Sequence, residues 1–148
     1  WVKLRNHESY SKATNTLRQE GFKLYGTSLN ENSIDYRDLD FTKNTCFVLG
    51  AEKWGLSKEL IEQVDDSIYI PMNGMVQSLN VSVAGAILLF EAIRQRKNKN
   101  LLPFAGEGLN QNEYKKTLFE WTYPELVDSY KKSNKDYPSL NEDGEIYK

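Results

Sequence analysis

Cysteine and histidine are almost missing from this sequence: Cys46 and His7 stand alone among 148 residues. One thiol cannot close an internal disulfide, and one thiol with one imidazole cannot assemble a metal-ligand cluster. No metal is therefore expected, and a reducing, cytoplasmic setting is. Long apolar stretches are missing too. The longest unbroken run, residues 83–90, falls far short of the roughly 20 residues that a bilayer span needs. With a mean hydropathy of −0.65, no membrane partner is expected. Nor is there a surplus of one charge, since 19 basic side chains against 21 acidic ones leave a net charge of −2. Any polyanionic partner must then be held by a local patch rather than by bulk charge. The chain opens at Trp1, without a leader, in what reads as mid-domain sequence, so a further part is expected upstream. No internal repeat or low-complexity tract interrupts it.

What is present suffices for one domain's core. Hydrophobic residues make up 39% and aromatic ones 12% of the chain, which excludes a disordered tail protein. Residues 1–4 alternate apolar and polar as a strand would, and residues 9–20 read as a surface helix stopped by Gly21. Residues 22–27 resume the two-residue alternation, and the polar stretch 28–44 reads as a connection with one short turn of helix. Residues 45–49 are nearly all apolar, as a parallel strand covered on both faces requires. A helix over 57–64 with Ser57 as N-cap and a short strand over 67–70 ended by Pro71 come next. The longest helix spans 81–97, apolar at first and then basic at Arg94, Arg96, Lys97 and Lys99.

Such alternation of strand and helix predicts an α/β domain, a parallel sheet flanked by helices with ligands beyond the carboxyl ends of its strands. The loops leaving Thr27, Leu49 and Ile70 are then the informative ones. Past Pro103 the composition shifts: residues 103–148 hold six Lys, no Arg and nine acids. Helices are expected over 110–119, opened by Asn110 with Glu113, and over 124–132, with Pro124 near its start, followed by a frayed final decapeptide. The expected division is 1–102 for the α/β domain and 103–148 for a helical C-terminal extension.

Two loops stand out. The stretch 49–57 carries two glycines, a carboxylate and a Trp where a plain strand-to-helix turn needs one glycine and a cap. Its glycine spacing matches neither a Walker A loop nor a dinucleotide fingerprint, which leaves a nucleotide-binding protein of another kind without its phosphate loop. The stretch 70–80 is longer than the two to six or so residues that such a connection requires. Its bland reading is that Ser78 or Asn80 merely caps the long helix and that Met72 and Met75 fill the core. Ser82, Ala84, Gly85 and Ala86 give that helix a small-residue face suited to tight helix–sheet packing or to a helix–helix dimer contact. The basic end of the helix is the candidate phosphate patch, although most such runs are solvated and merely complement the helix dipole. His7 and Cys46 read as a surface or packing histidine and a small strand residue.

Phe47-Val48-Leu49-Gly50-Ala51-Glu52-Lys53-Trp54-Gly55-Leu56-Ser57 and Ile70-Pro71-Met72-Asn73-Gly74-Met75-Val76-Gln77-Ser78-Leu79-Asn80-Val81-Ser82-Val83-Ala84 resemble the second and third motifs of the SpoU family of RNA ribose methyltransferases, within the SPOUT superfamily. The wording of the second stretch, the continuation over residues 90–96 and the aromatic-rich C-terminal part resemble its TrmH branch, which methylates the 2'-oxygen of guanosine 18 in the tRNA D-loop. The resemblance implies a SPOUT-type α/β domain with a deep trefoil knot, a homodimer, S-adenosylmethionine as cofactor and tRNA as substrate. It implies cofactor contacts at Thr27, Gly50, Ile70 and Leu79, largely through backbone groups, and active-site roles for Glu52, Ser78 and Asn80.

The family's first motif, an Asn and a catalytic Arg on an early helix, is expected upstream, because Arg5 and Arg18 stand in the wrong context to replace it. In the implied mechanism that Arg contacts the ribose-phosphate and assists loss of the 2'-hydroxyl proton, while Glu52 and Asn80 orient it and the nucleoside, with Ser78 in support. A carboxylate beside a guanidinium stays ionised, so Glu52 fixes geometry rather than accepting the proton. The competing expectations are a catalytically incomplete RNA-binding or dimerisation module and a methyltransferase for another RNA position.

Overall fold

A computed structural model describes residues 4–51, 54–75, 78–102, 108–141 and 143–147. The chain forms two compact units, Trp1–Leu102 and Pro103–Lys148. The first is built on a four-stranded sheet of β1 (Lys23–Thr27), β2 (Ile34–Asp35), β3 (Thr45–Val48) and β4 (Asp66–Tyr69), in the order β2-β4-β1-β3 and parallel throughout. Helices α1 (Tyr10–Gln19), α2 (Lys58–Ile61) and α3 (Val81–Asn98) surround it.

Alternation along β1 decides which helices it meets. Tyr25 joins Phe41, Ile68, Leu88 and Ala92 in one core, so α3 covers that face. Its rings are fixed edge to face, with Tyr25 and Phe41 at 5.1 Å and Phe41 and Phe47 at 4.9 Å between centroids, a favoured aromatic geometry. Gly26 faces the other way, where a Cβ would lie 2.8 Å from Leu56 Cδ1 and 3.0 Å from Val64 Cγ2. The sheet therefore approaches the residues on either side of α2 through a missing side chain.

Most helix boundaries are set by local chemistry. The side chains of Ser9, Ser57 and Asn80 cap α1, α2 and α3 by accepting from Lys12 N, Leu60 N and Ser82 N, satisfying amides that have no intrahelical partner. Gly21, at φ +81°, takes the chain out of α1. Helix α2 ends at Ile61, short of the expected 64, because the residues after it are claimed elsewhere. Thr14 Oγ1 donates to Gln63 Oε1 at 3.0 Å, Arg18 Nη2 donates to Gln63 O at 2.8 Å, and Asp65 Oδ2 accepts from Leu24 N at 2.7 Å.

Two expectations about the strands need correction. Strand β3 is half-buried at all four positions rather than covered on both faces, and among the described residues it lies at one edge of the sheet, paired with β1. The polar connection hides a strand, β2, whose Ile34 and Asp35 pair with Ile68 and Tyr69 before the helical turn Tyr36–Asp38. The strand expected over residues 1–4 lies outside the described residues except for Leu4, which is exposed coil.

The second unit holds α4 (Gln111–Thr122) and α5 (Pro124–Lys132). Asn110 caps α4 by accepting from Glu113 N at 2.9 Å, and Pro124 opens α5, where its missing N–H costs nothing. Phe119 is fully buried and stacks on Tyr137 at 4.4 Å, with Tyr130 edge-on at 5.3 Å. The final decapeptide is not frayed at its described positions. Leu140 bridges Ile146, Asn141 N donates to Glu145 O at 2.9 Å and Tyr147 N donates to Ser139 O at 3.2 Å.

Candidate active site

Because β4, β1 and β3 are neighbours and parallel, with Thr27 opposite Ile68 and Gly26 opposite Val48, the chain leaves all three at one edge of the sheet. Their ends are tied together. Thr27 Oγ1 donates to Val48 O at 3.4 Å, and Ser28 N donates to Ile68 O at 3.0 Å. Thr27, Gly50 and Ile70 are thus gathered at adjoining strand exits, the usual ligand position in open α/β sheets.

The loop after β3 doubles back on itself at once. Ala51 N donates to Gly55 O at 3.1 Å and Gly55 N to Ala51 O at 2.8 Å, with Gly55 at φ +62°. A Cβ on Gly50 would stand 2.2 Å from the Gly55 carbonyl carbon and 2.5 Å from Leu56 N, so backbone occupies the place of a side chain. The closed turn presents Trp54, which is 79% exposed. Glu52 lies outside the described residues.

The loop after β4 begins in the core and ends at a helix cap. Ile70 packs on the cluster around Tyr25, whereas Met75 is fully exposed and is no core filler. Ser78 is exposed and Leu79 half-buried. Asn80 Oδ1 accepts from Ser82 N at 2.9 Å, so the bland capping role is real and also immobilises this side chain. Further along α3, a Cβ on Gly85 would lie 3.2 Å from Leu49 Cδ1. The small-residue face therefore serves helix–loop packing and brings the helix that follows the loop after β4 against the start of the loop after β3.

The basic end of α3 is largely occupied by the fold itself. Arg94 donates from Nε and Nη2 to the Glu91 carboxylate at 2.8 and 2.6 Å. That hydrogen bonding outweighs burial and holds Glu91 below the usual carboxylate range. Arg96 donates to Phe41 O at 3.1 Å and to Lys43 O at 2.7 Å, and Lys99 pairs with Asp40 at 3.2 Å. Gln95 completes this clamp by accepting from Phe41 N at 2.7 Å and donating to Leu39 O at 2.9 Å. Arg94 and Arg96 are thus engaged by partners within the domain. No local sequence signal distinguishes Gln95 or Arg96 as clamps, because the carbonyls they bind lie more than fifty residues earlier. His7 is exposed, and burial pushes the Cys46 thiol up. Among the described residues no group of His, Cys, Asp or Glu could hold a metal ion, and no helix is long and apolar enough to cross a membrane.

The family model described as SpoU rRNA Methylase matches residues 1–90, and that of the SpoU rRNA methylase C-terminal region matches 94–148. The chain belongs to the SpoU rRNA Methylase family. The tRNA (guanosine(18)-2'-O)-methyltransferase of Escherichia coli is 40% identical over 146 residues, 99% of this chain and 64% of that protein. The enzyme of the same name from Thermus thermophilus is 47% identical over 82% of this chain and 61% of its own length. A crystal structure from Aquifex aeolicus, described as a TrmH/SpoU tRNA modifying enzyme, matches with a TM-score of 0.74 at 38% identity, over 85% of this chain and 63% of that one. The SpoU methyltransferase AviRb of Streptomyces viridochromogenes, solved with AdoMet, matches at 0.52 and 34% identity over 60% of this chain and 35% of that one. The chain thus spans somewhat under two thirds of the length of these curated relatives.

Proposed function

We propose that this chain is the larger part of an S-adenosylmethionine-dependent methyltransferase acting on the 2'-oxygen of guanosine 18 in tRNA. The observation that carries this reading is the meeting of three parallel strand exits with a helix start, Gly50 being packed backbone to backbone and Gly85 resting on Leu49. The names of the two curated relatives support the substrate, and the AviRb complex supports the cofactor. The residues suit an adenosyl group, because Gly50, Ile70 and Leu79 bring backbone N–H and C=O groups to the loops and Leu49 adds a partly exposed apolar side chain. An uncharged purine is held by backbone hydrogen bonds and apolar contact more than by ion pairs.

Bound there, the cofactor supplies a methyl group activated on a sulfonium sulfur. The protein's task is alignment of the attacking oxygen, since an in-line displacement gains most from fixed geometry. Thr27, Gly50, Ile70 and Leu79 hold the cofactor side of the site. Glu52, Ser78 and Asn80 hold the nucleoside side, in company with the arginine that the resemblance assigns to the first motif. Anchored at the start of α3, Asn80 loses little rotamer freedom when it takes up that role.

In this reading residues 1–102 form the methyltransferase domain and 103–148 its helical extension. The deep trefoil knot, a cytoplasmic location and a homodimer belong to the same reading. A homodimer is supported by α3, where Val83, Ala86, Phe90 and Ile93 are exposed at helical spacing along one face. Such a stripe is costly to leave in water and suits a second copy.

Calorimetric titration with S-adenosylhomocysteine tests the site: saturable binding is expected, with none for ADP. Absence of binding would overturn the cofactor assignment. Transfer of a tritiated methyl group by the full-length protein to unmodified tRNA tests the rest. A transcript with 2'-deoxyguanosine at position 18 should accept none, and undiminished labelling of it would move the reaction to another RNA position.

A further inference from the structure

The second unit contains a groove that the proposed reaction does not use. It is a concave region of about 530 Å³ lined by Asn112, Lys115 and Lys116 on α4, by Lys131 at the end of α5 and by Lys135 beyond it. The spacing of 112, 115 and 116 places the three α4 residues on one helical face, the face that also carries buried Phe119. Phe119, Tyr130 and Tyr137 stack beneath the lysines, so the groove has a rigid floor.

Charge is sorted here against the composition. Acids outnumber lysines nine to six over residues 103–148, yet the lining includes four of those lysines and a single acid, Asp136. Glu120 lies nearby, accepting from Tyr137 OH at 3.0 Å and pairing loosely with Lys131 at 3.6 Å. Even with both carboxylates counted, the ammonium groups are in excess. The contrast with α3 is chemical as well as numerical, since Arg94 and Arg96 are held by a carboxylate and by carbonyls. Lysine is a mobile, hydrated point charge that suits phosphates without reading bases.

We infer that this groove binds the phosphodiester backbone of the RNA substrate, giving the C-terminal unit an anchoring site of its own. The choice of RNA as the polyanion rests on the function proposed above; the groove and its charge do not. Neutralising three phosphate contacts should act on affinity and on salt dependence together, and leave the cofactor site untouched.

The full chain carrying Lys115→Ala, Lys116→Ala and Lys135→Ala is compared with wild type for binding of an unmodified tRNA transcript across a potassium chloride series. The slope of log affinity against log salt should fall by about 1 for each lysine removed, with S-adenosylhomocysteine binding and the thermal transition unchanged. A control carrying Lys12→Ala, Lys43→Ala and Lys58→Ala, three exposed lysines of the other unit, removes the same net charge and should keep the slope. An unchanged slope in the groove variant, or an equal fall in the control, would overturn the inference. If S-adenosylhomocysteine fails to bind while the lysine-dependent slope persists, the cofactor assignment falls and the groove stands.

Discussion

The two units hold themselves together by different means. The first depends on how closely its glycine backbone can be approached: Gly50 by the backbone of Gly55, Gly26 by the side chains of Leu56 and Val64, Gly85 by that of Leu49. It adds polar clamps that cross long sequence distances, Arg96 to the 41–43 segment and Asp65 to Leu24. The second, among its described residues, hangs on one buried ring, Phe119, with tyrosines packed around it. A fold that positions ligand-binding loops tolerates little added volume, whereas one that displays a charged surface needs chiefly a firm floor.

The sharpest way to break this contrast is Gly50→Ala. The new methyl would meet backbone that cannot rotate aside, so a loss of more than about 4 kcal/mol is expected, together with cofactor binding. Gly26→Ala should cost only about 1–3 kcal/mol, since its neighbours are side-chain methyls with room to give. Urea unfolding of the pair checks the order, and equal losses would show that backbone proximity is not what matters. Next comes Phe119→Ala, expected at about 3–4 kcal/mol. Hydrogen exchange should show the loss in α4 and α5 while S-adenosylhomocysteine still binds.

Smaller effects refine the account of the clamps. Arg96→Gln leaves the carbonyls of Phe41 and Lys43 without their guanidinium and should cost about 1–3 kcal/mol, read as faster exchange over 41–43. Asp65 supplies a pH dependence. Burial disfavours its ionised form, but the Leu24 amide and the Arg18 guanidinium outweigh that and hold its carboxyl below the usual range. Its stabilising contribution is therefore complete above about pH 4 and is lost as the pH falls through the depressed value. Asp65→Asn should flatten that acid limb in denaturant titrations from pH 6 downward. Asn80→Ala should cost about 1 kcal/mol from the lost cap, and a larger loss of methyl-transfer rate than of stability would separate its two uses.

The helices were legible where the chain states its own boundaries: Ser9, Ser57, Asn80 and Asn110 all act as N-caps, and Pro124 opens α5. Strands β1, β3 and β4 declared themselves through apolar character. Strand β2 did not, because its two residues owe their conformation to a partner more than thirty positions later. The edge position of β3 was equally hidden, since a run of apolar residues reports burial in general and not the number of neighbours. At the candidate site the exits at Thr27, Leu49 and Ile70 followed from the order of elements. The fate of Arg94 and Arg96 did not follow, because positive charge at a helix end reads alike whether a phosphate, a carboxylate or a peptide carbonyl answers it.

Cys46 gives the sheet an internal clock. It is the single thiol of the chain, sits within β3 opposite Leu24, and is harder to ionise than a free thiol because it is half-buried. Alkylating reagents attack the thiolate, so modification waits on moments when that strand lifts away from its neighbour. Timing the reaction with iodoacetamide then measures how often the sheet opens beside the proposed cofactor site, and slowing by S-adenosylhomocysteine would report on its binding there without any label being engineered in.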